Sequence, residues 1–135
     1  MSKIIEVSFP GGKKVDAKIG DVEIKTDQSI LAGGEGSAPE PFQLFLASLA
    51  TCAGIYVSEF CRAREIEPKG MSLEMICDYD ADVKRYVKMK FELTLPPEFP
   101  EKYQEGIKRA MDLCTVKRHI MNPPEFSIEV KQSES

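Results

Sequence analysis

Two hydrophobic periods alternate along the chain, and the switches between them mark its elements. Residues 3–8, KIIEVS, and 13–19, KKVDAKI, alternate apolar and polar around the PGG at 10–12, which predicts a β-hairpin with a loose loop. DVEIKTD at 21–27 adds a third short strand, giving an antiparallel meander. The stretch 28–41, QSILAGGEGSAPEP, is a loop by its glycine, proline and serine content. Its glycines do not lead from a strand into a dinucleotide or Walker pattern, so a flexible connection is favoured over a phosphate cradle.

From Pro41 to about Glu67 the pattern becomes nearly continuous apolar. Proline suits a first helical turn, and Pro68-Lys69-Gly70 stops the run. A helix of some 25 residues spans about 37 Å. Its first two-thirds lack a polar face, so more than one side must be covered. A second subunit is the economical source of that cover. MSLEMICD at 71–78 alternates again, with Met71, Leu73, Met75 and Cys77 on one side, and VKRYVKMKFELTL at 83–95 does so with Val87, Met89, Phe91, Leu93 and Leu95 in phase, which predicts an antiparallel pair. EKYQEGIKRAMDL at 101–113 returns to helical spacing, CTVKRHI continues as a short helix or turn, and EFSIEVK at 125–131 reads as a last strand. Strands and helices do not alternate strictly enough for a doubly wound sheet. The expected class is α+β with mainly antiparallel sheet, in one domain spanning 1–135.

Composition narrows the functions. A net charge of −4 with a sequence pI near 5.1 argues against a nucleic-acid partner, which needs a basic stripe. The N-terminus alternates where a signal peptide would be apolar. The longest apolar run, Phe42 to Val57, is interrupted by Gln43, Ser48 and Thr51, and it is read as too short for a membrane span. A cytoplasmic protein with no membrane partner is expected. Four cysteines, no Cys-x-x-Cys and one histidine give no metal-ligand spacing, so no metal or other cofactor is expected.

The cysteines carry the candidate chemistry. Cys77 falls at the inward phase of a strand and reads as core. Cys61 lies where the long helix turns polar and reads as a partly buried neutral thiol. Cys52 sits among Ser48, Ala50, Thr51, Ala53 and Gly54, which leave room beside its sulfur. Gly54 costs about 1 kcal/mol in a helix interior relative to alanine, so a close approach of backbone or ligand is expected there. Cys114 ends the second helical region ahead of a basic turn. Mid-helix Cys52 gains nothing from the N-terminus of its own helix. Its thiolate therefore needs a cation or hydrogen-bond donor from elsewhere. The chain has no arginine before Arg62, which leaves Lys14, Lys18, a partner-chain Arg62, Arg118 or His119 as sources.

GSAPEPFQLFLASLATC at 36–52 resembles the first cysteine segment of the OsmC/Ohr superfamily of thiol-dependent hydroperoxide reductases. AMDLCTVKRHIMNPPEFSIEV at 110–130 is similar to the segment with the second cysteine, in the subgroup marked Cys-Thr-Val-Lys. The resemblance implies an intertwined homodimer, with sheets from both chains wrapped around two long central helices. It implies peroxidatic Cys52 and resolving Cys114, an organic hydroperoxide substrate and a thiol or dithiol reductant. Phe42, Phe45 and Met111 are carried over as pocket walls. Gln43 stands where family enzymes place a glutamate, and the N-terminal arginine of those enzymes has no counterpart. Those two departures keep an alternative open, a binding module for a small hydrophobic or acyl ligand with weak or no peroxidase activity.

Overall fold

Local turn chemistry sets the first strands. In the computed structural model, which describes residues 1–134, β1 (Ile5–Gly11), β2 (Lys14–Ile19) and β3 (Val22–Thr26) form an antiparallel sheet in that order. Ile5 pairs with Ile19, and Ile19 with Val22. The first turn is tighter than expected: β1 runs through Pro10 to Gly11, with a register irregularity between Ser8 and Gly11. Gly12 (φ +59) and Gly20 (φ +59) open the two turns in the left-handed region that glycine adopts without strain. One face of β1 stays uncovered in the single chain, with Val7 and Phe9 exposed.

The loop from Asp27 to Glu40 is ordered around one carboxylate. Asp27 is 1% exposed. It accepts from the Gln28 N–H (2.7 Å), the Ser37 N–H (3.1 Å), the Ser37 hydroxyl (2.6 Å) and the Glu35 N–H (3.3 Å). Residues that read as flexible punctuation therefore form a built turn at the entry to α1.

α1 (Pro41–Ala63) begins with half of a capping box. The Glu40 carbonyl accepts the first helical bond from Leu44 N–H, and the Gln43 Oε1 accepts from the Glu40 N–H at 2.9 Å. The helix ends four residues earlier than expected. Glu65 takes φ +54, Ile66 N–H bonds to the Cys61 carbonyl (2.8 Å) and Glu65 N–H to the Arg62 carbonyl (3.2 Å). That is a Schellman ending with glutamate in the usual glycine position, so no glycine announces it in the sequence. Ile66 then folds back against the core.

The chain forms two compact units, Met1–Ser48 and the remainder from Leu49. In the second unit, β4 (Ser72–Asp80) and β5 (Arg85–Thr94) form the expected antiparallel pair. Leu73 lies opposite Leu93, Met75 opposite Phe91 and Cys77 opposite Met89. A 3₁₀ turn (Glu101–Tyr103) leads into α2 (Gln104–Met111), and α3 (Thr115–Met121) follows. Val57, Phe60, Cys61, Phe99 and Ile107 make the buried core. The Phe60 ring meets the Tyr103 ring edge-on at 6.1 Å and carries the Arg64 guanidinium 3.6 Å above it. Cys61 is more buried than expected, wholly inside, with its thiol donating to the Met71 sulfur at 3.9 Å. Cys77 is only half-buried.

Two expectations are corrected. The strand expected at 125–131 is not formed within the chain: the segment pairs with neither sheet, although both have open edges. Phe126, Ile128 and Val130 are 83%, 94% and 92% exposed. By length and composition α1 does qualify as long and apolar enough to cross a membrane, since it continues to Ala63 beyond the run first counted. A core helix meets the same test, and the stripe Leu49, Ala53, Val57, Phe60 is buried.

Candidate active site

Helical spacing places Cys52 and Tyr56 on one face of α1, a single turn apart. The Tyr56 hydroxyl lies 3.1 Å from the Thr115 hydroxyl. That bond ties α1 to the first residue of α3. Cys114 is the N-cap of α3: its backbone is extended and its sulfur accepts from the Lys117 N–H at 3.4 Å. A thiol thus takes the position usually held by Ser, Thr, Asp or Asn. The next two residues present their backbone N–H groups to Cys52.

Each of the two thiols shifts the other's titration, so Cys52 and Cys114 lie close to one another. Burial alone pushes the Cys52 thiol up. The Val116 N–H, the Cys114 thiol, the Thr115 N–H and the Arg118 charge together outweigh that, and the thiol falls below its ordinary value. Cys114 moves the other way. Burial raises it, and donating to Cys52 raises it further, against the help of the Lys117 N–H. The two thiols are thus shifted apart, Cys52 towards easier ionisation and Cys114 towards the neutral thiol. Cys52 is partly exposed and Cys114 is buried.

The donor that Cys52 needs is thus the N-terminus of another helix. Sequence reasoning missed the Thr115 and Val116 N–H groups and Tyr56. Backbone donors have no residue signature, although a cysteine directly before a short helical stretch is a capping signal. Of the cations considered, Arg118 acts on Cys52. Lys14 is paired with Glu35 (2.7 Å) and Arg62 with Glu59 (3.6 Å). His119 is exposed and donates Nδ1–H to the Thr115 carbonyl (2.8 Å). Gln43 spends its carbonyl oxygen on the helix cap. Phe42 and Phe45 pack on each other at 5.4 Å in the N-terminal unit. The approach expected at Gly54 is absent among the described residues: a Cβ there would meet only a Leu73 methyl at 3.9 Å.

A groove of about 770 Å³ lies between β5 and α2. Met89, Phe91, Leu93, Leu95 and Met111 give it apolar lining, and Cys114 also lines it. Met111 is the one residue of the expected pocket walls found there.

The family model described as OsmC-like protein matches residues 34–129, and the chain belongs to that family. A Psychrobacter arcticus structure, provisionally described as an osmotic stress induced and detoxification response protein, is 26% identical (TM-score 0.70), covering 84% of this chain and 85% of that one. A hypothetical protein from Aquifex aeolicus is 20% identical over 99% of both chains, with TM-score 0.66. An organic hydroperoxide resistance protein OsmC from Legionella pneumophila is 20% identical over 89% of both chains, with TM-score 0.54, and shares the fold. Among curated proteins none matches significantly.

Proposed function

We propose that this protein is a thiol peroxidase for organic hydroperoxides. The observation that supports the reading is the Cys52–Cys114 pair, two neighbouring thiols shifted in opposite directions, with Cys114 capping α3. The Cys52 thiolate attacks one peroxide oxygen. The O–O bond breaks, the alcohol leaves with a proton, and Cys52 becomes a sulfenic acid. Cys114, already close to that sulfur, loses its proton and attacks it. Water departs and the Cys52–Cys114 disulfide forms. A thiol reductant restores both thiols, which suits a reducing cytoplasm.

The resemblance to intertwined family homodimers extends the proposal to assembly. Exposed Val7, Phe9 and Ile55, and the unpaired alternation at 125–131, fit surfaces that a second copy covers. Light scattering on the purified protein checks this, and a monomer at micromolar concentration would remove it. The peroxidase reading is tested by consumption of cumene hydroperoxide with a dithiol present. Wild type should turn over and Cys52→Ser should not. Equal slow consumption by both would sink the reading.

A further inference from the structure

The first turn of α3 is held by the two sulfurs. A helix leaves its first N–H groups without partners of its own. In α3 the Thr115 and Val116 N–H groups donate to Cys52, and the Lys117 N–H donates to the Cys114 sulfur at 3.4 Å. Little else holds this helix. It has seven residues, too few to be stable alone in water. None of them is fully buried, and Ile120 and Met121 are exposed. Its other polar ties to the rest of the described residues are the Tyr56–Thr115 bond and the Lys117–Asp112 ion pair. The ion pair is solvent-exposed and adds little. From 122 to 134 no helix or strand follows, and every residue is exposed.

We propose that α3 is a redox-sensitive switch, ordered while the two thiols are reduced and loosened when Cys52 and Cys114 join as a disulfide. The inference rests on the disulfide of the peroxidase reading and gives it a structural consequence. Closing the bond takes two electrons and two protons from the pair. In that cycle the hydroperoxide accepts them and leaves as alcohol and water. The sulfurs come to about 2.05 Å from each other. That draws the Cys114 sulfur away from the Lys117 N–H, a bond already long at 3.4 Å. Cys52 can then carry no charge, and a neutral sulfur holds the Thr115 and Val116 N–H groups more weakly than a thiolate does. All three caps weaken in one step. A helix with so little burial answers by fraying from its first turn. The state of two sulfurs, one of them buried, is thereby converted into the order of a largely exposed helix.

Hydrogen exchange of the full-length protein, read by peptide mass spectrometry, tests this. One sample is kept reduced with a phosphine. The other is oxidised with diamide, and the Cys52–Cys114 bond is confirmed in non-reduced peptides. Peptides over 115–122 should exchange about tenfold faster in the oxidised sample, the scale of a lost helix cap. Peptides over β4 and β5 should keep one rate. Cys114→Ala should show the fast rate with no oxidant present. Cys114→Ser supplies a hydroxyl cap and no disulfide, so its α3 should stay slow with or without diamide. The wild-type comparison and the serine variant stand even where the alanine variant folds poorly. Equal or slower exchange over 115–122 on oxidation, a Cys114→Ala helix as protected as wild type, or no Cys52–Cys114 disulfide under diamide would each overturn the proposal. Diamide needs no peroxide. A protein inert towards hydroperoxides whose α3 loosens fails the peroxidase reading alone, and an active peroxidase with an unmoved α3 fails this one alone.

Discussion

Cys114 caps α3 with its sulfur and also lowers the neighbouring Cys52 thiol, so one residue both builds the helix end and shifts the opposite thiol. The arrangement shifts two thiols of the same chemistry in opposite directions. Their titration should therefore split. Cys52, held below its ordinary value, should react with iodoacetamide at a lower pH than a free cysteine. Cys114, held above, should need a higher one. Peptide-resolved alkylation across pH 5–10 reads both midpoints. Cys114→Ala removes one donor and should move the Cys52 midpoint up, as should Arg118→Met. A Cys52 midpoint at or above the ordinary thiol value would refute the assignment.

Tyr56 acts on Cys52 only through α3. Losing its bond to Thr115 should cost about 1 kcal/mol of stability. In Tyr56→Phe the first turn of α3 is held less firmly, so the Cys52 alkylation midpoint should rise and peroxide turnover should fall severalfold. Thr115→Ser keeps the hydroxyl and should behave as wild type, whereas Thr115→Val should match Tyr56→Phe. A stability loss with an unmoved Cys52 midpoint would mean the tyrosine is structural alone.

The legible parts of this fold are those where the signal is local. Period-two alternation placed Leu73, Met75 and Cys77 on one face of β4 and Met89, Phe91 and Leu93 on one face of β5, because side chains on a strand simply alternate, while the register that sets Leu73 opposite Leu93 came from the structure. The early end of α1 was not legible, since Glu65 takes a left-handed conformation without being glycine. EFSIEVK carries the strand pattern, yet a strand also needs an edge, and no periodicity says where that edge lies. Cys52 and Cys114 were legible as a pair through resemblance to the family. Their activation was not, because it rests on backbone N–H groups and on a tyrosine–threonine bond across 59 positions. Gln43 had the place of a catalytic glutamate in sequence and the bond of a helix cap in structure.

Asp27 predicts an acid limit. Its hydrogen bonds, led by the Ser37 hydroxyl, hold its carboxyl down from 3.8 to about 2. A depressed folded pKa contributes stability that is fully present above the unfolded value near 4. That contribution is lost as pH falls through about 2. Thermal melts of wild type should therefore decline between pH 4 and 2 more steeply than those of Asp27→Asn. The variant should be less stable at pH 7, since an amide turns N–H groups towards donors that need an acceptor. Parallel melting curves for the two proteins across that window would exclude Asp27 as the cause.

Two glycines that look alike in the sequence should answer alanine in opposite ways. A Cβ on Gly34 would stand 2.2 Å from the Gln28 carbonyl oxygen and 2.8 Å from a carboxylate oxygen of Asp27. Neither can retreat: the Gln28 carbonyl accepts from the Gly36 N–H (3.0 Å), and Asp27 holds the rest of the turn. Gly34→Ala should therefore cost about 3 kcal/mol through forced backbone movement. A Cβ on Gly54 meets one leucine methyl at ordinary contact distance within the chain. Gly54→Ala should then gain about 1 kcal/mol of helix propensity. Urea melts of the two variants beside wild type decide both. A destabilised Gly54→Ala would have a specific meaning, because no backbone of the chain's described residues approaches that position. It would place a second copy against α1 at Gly54, one residue past Ala53 and two past the reactive Cys52.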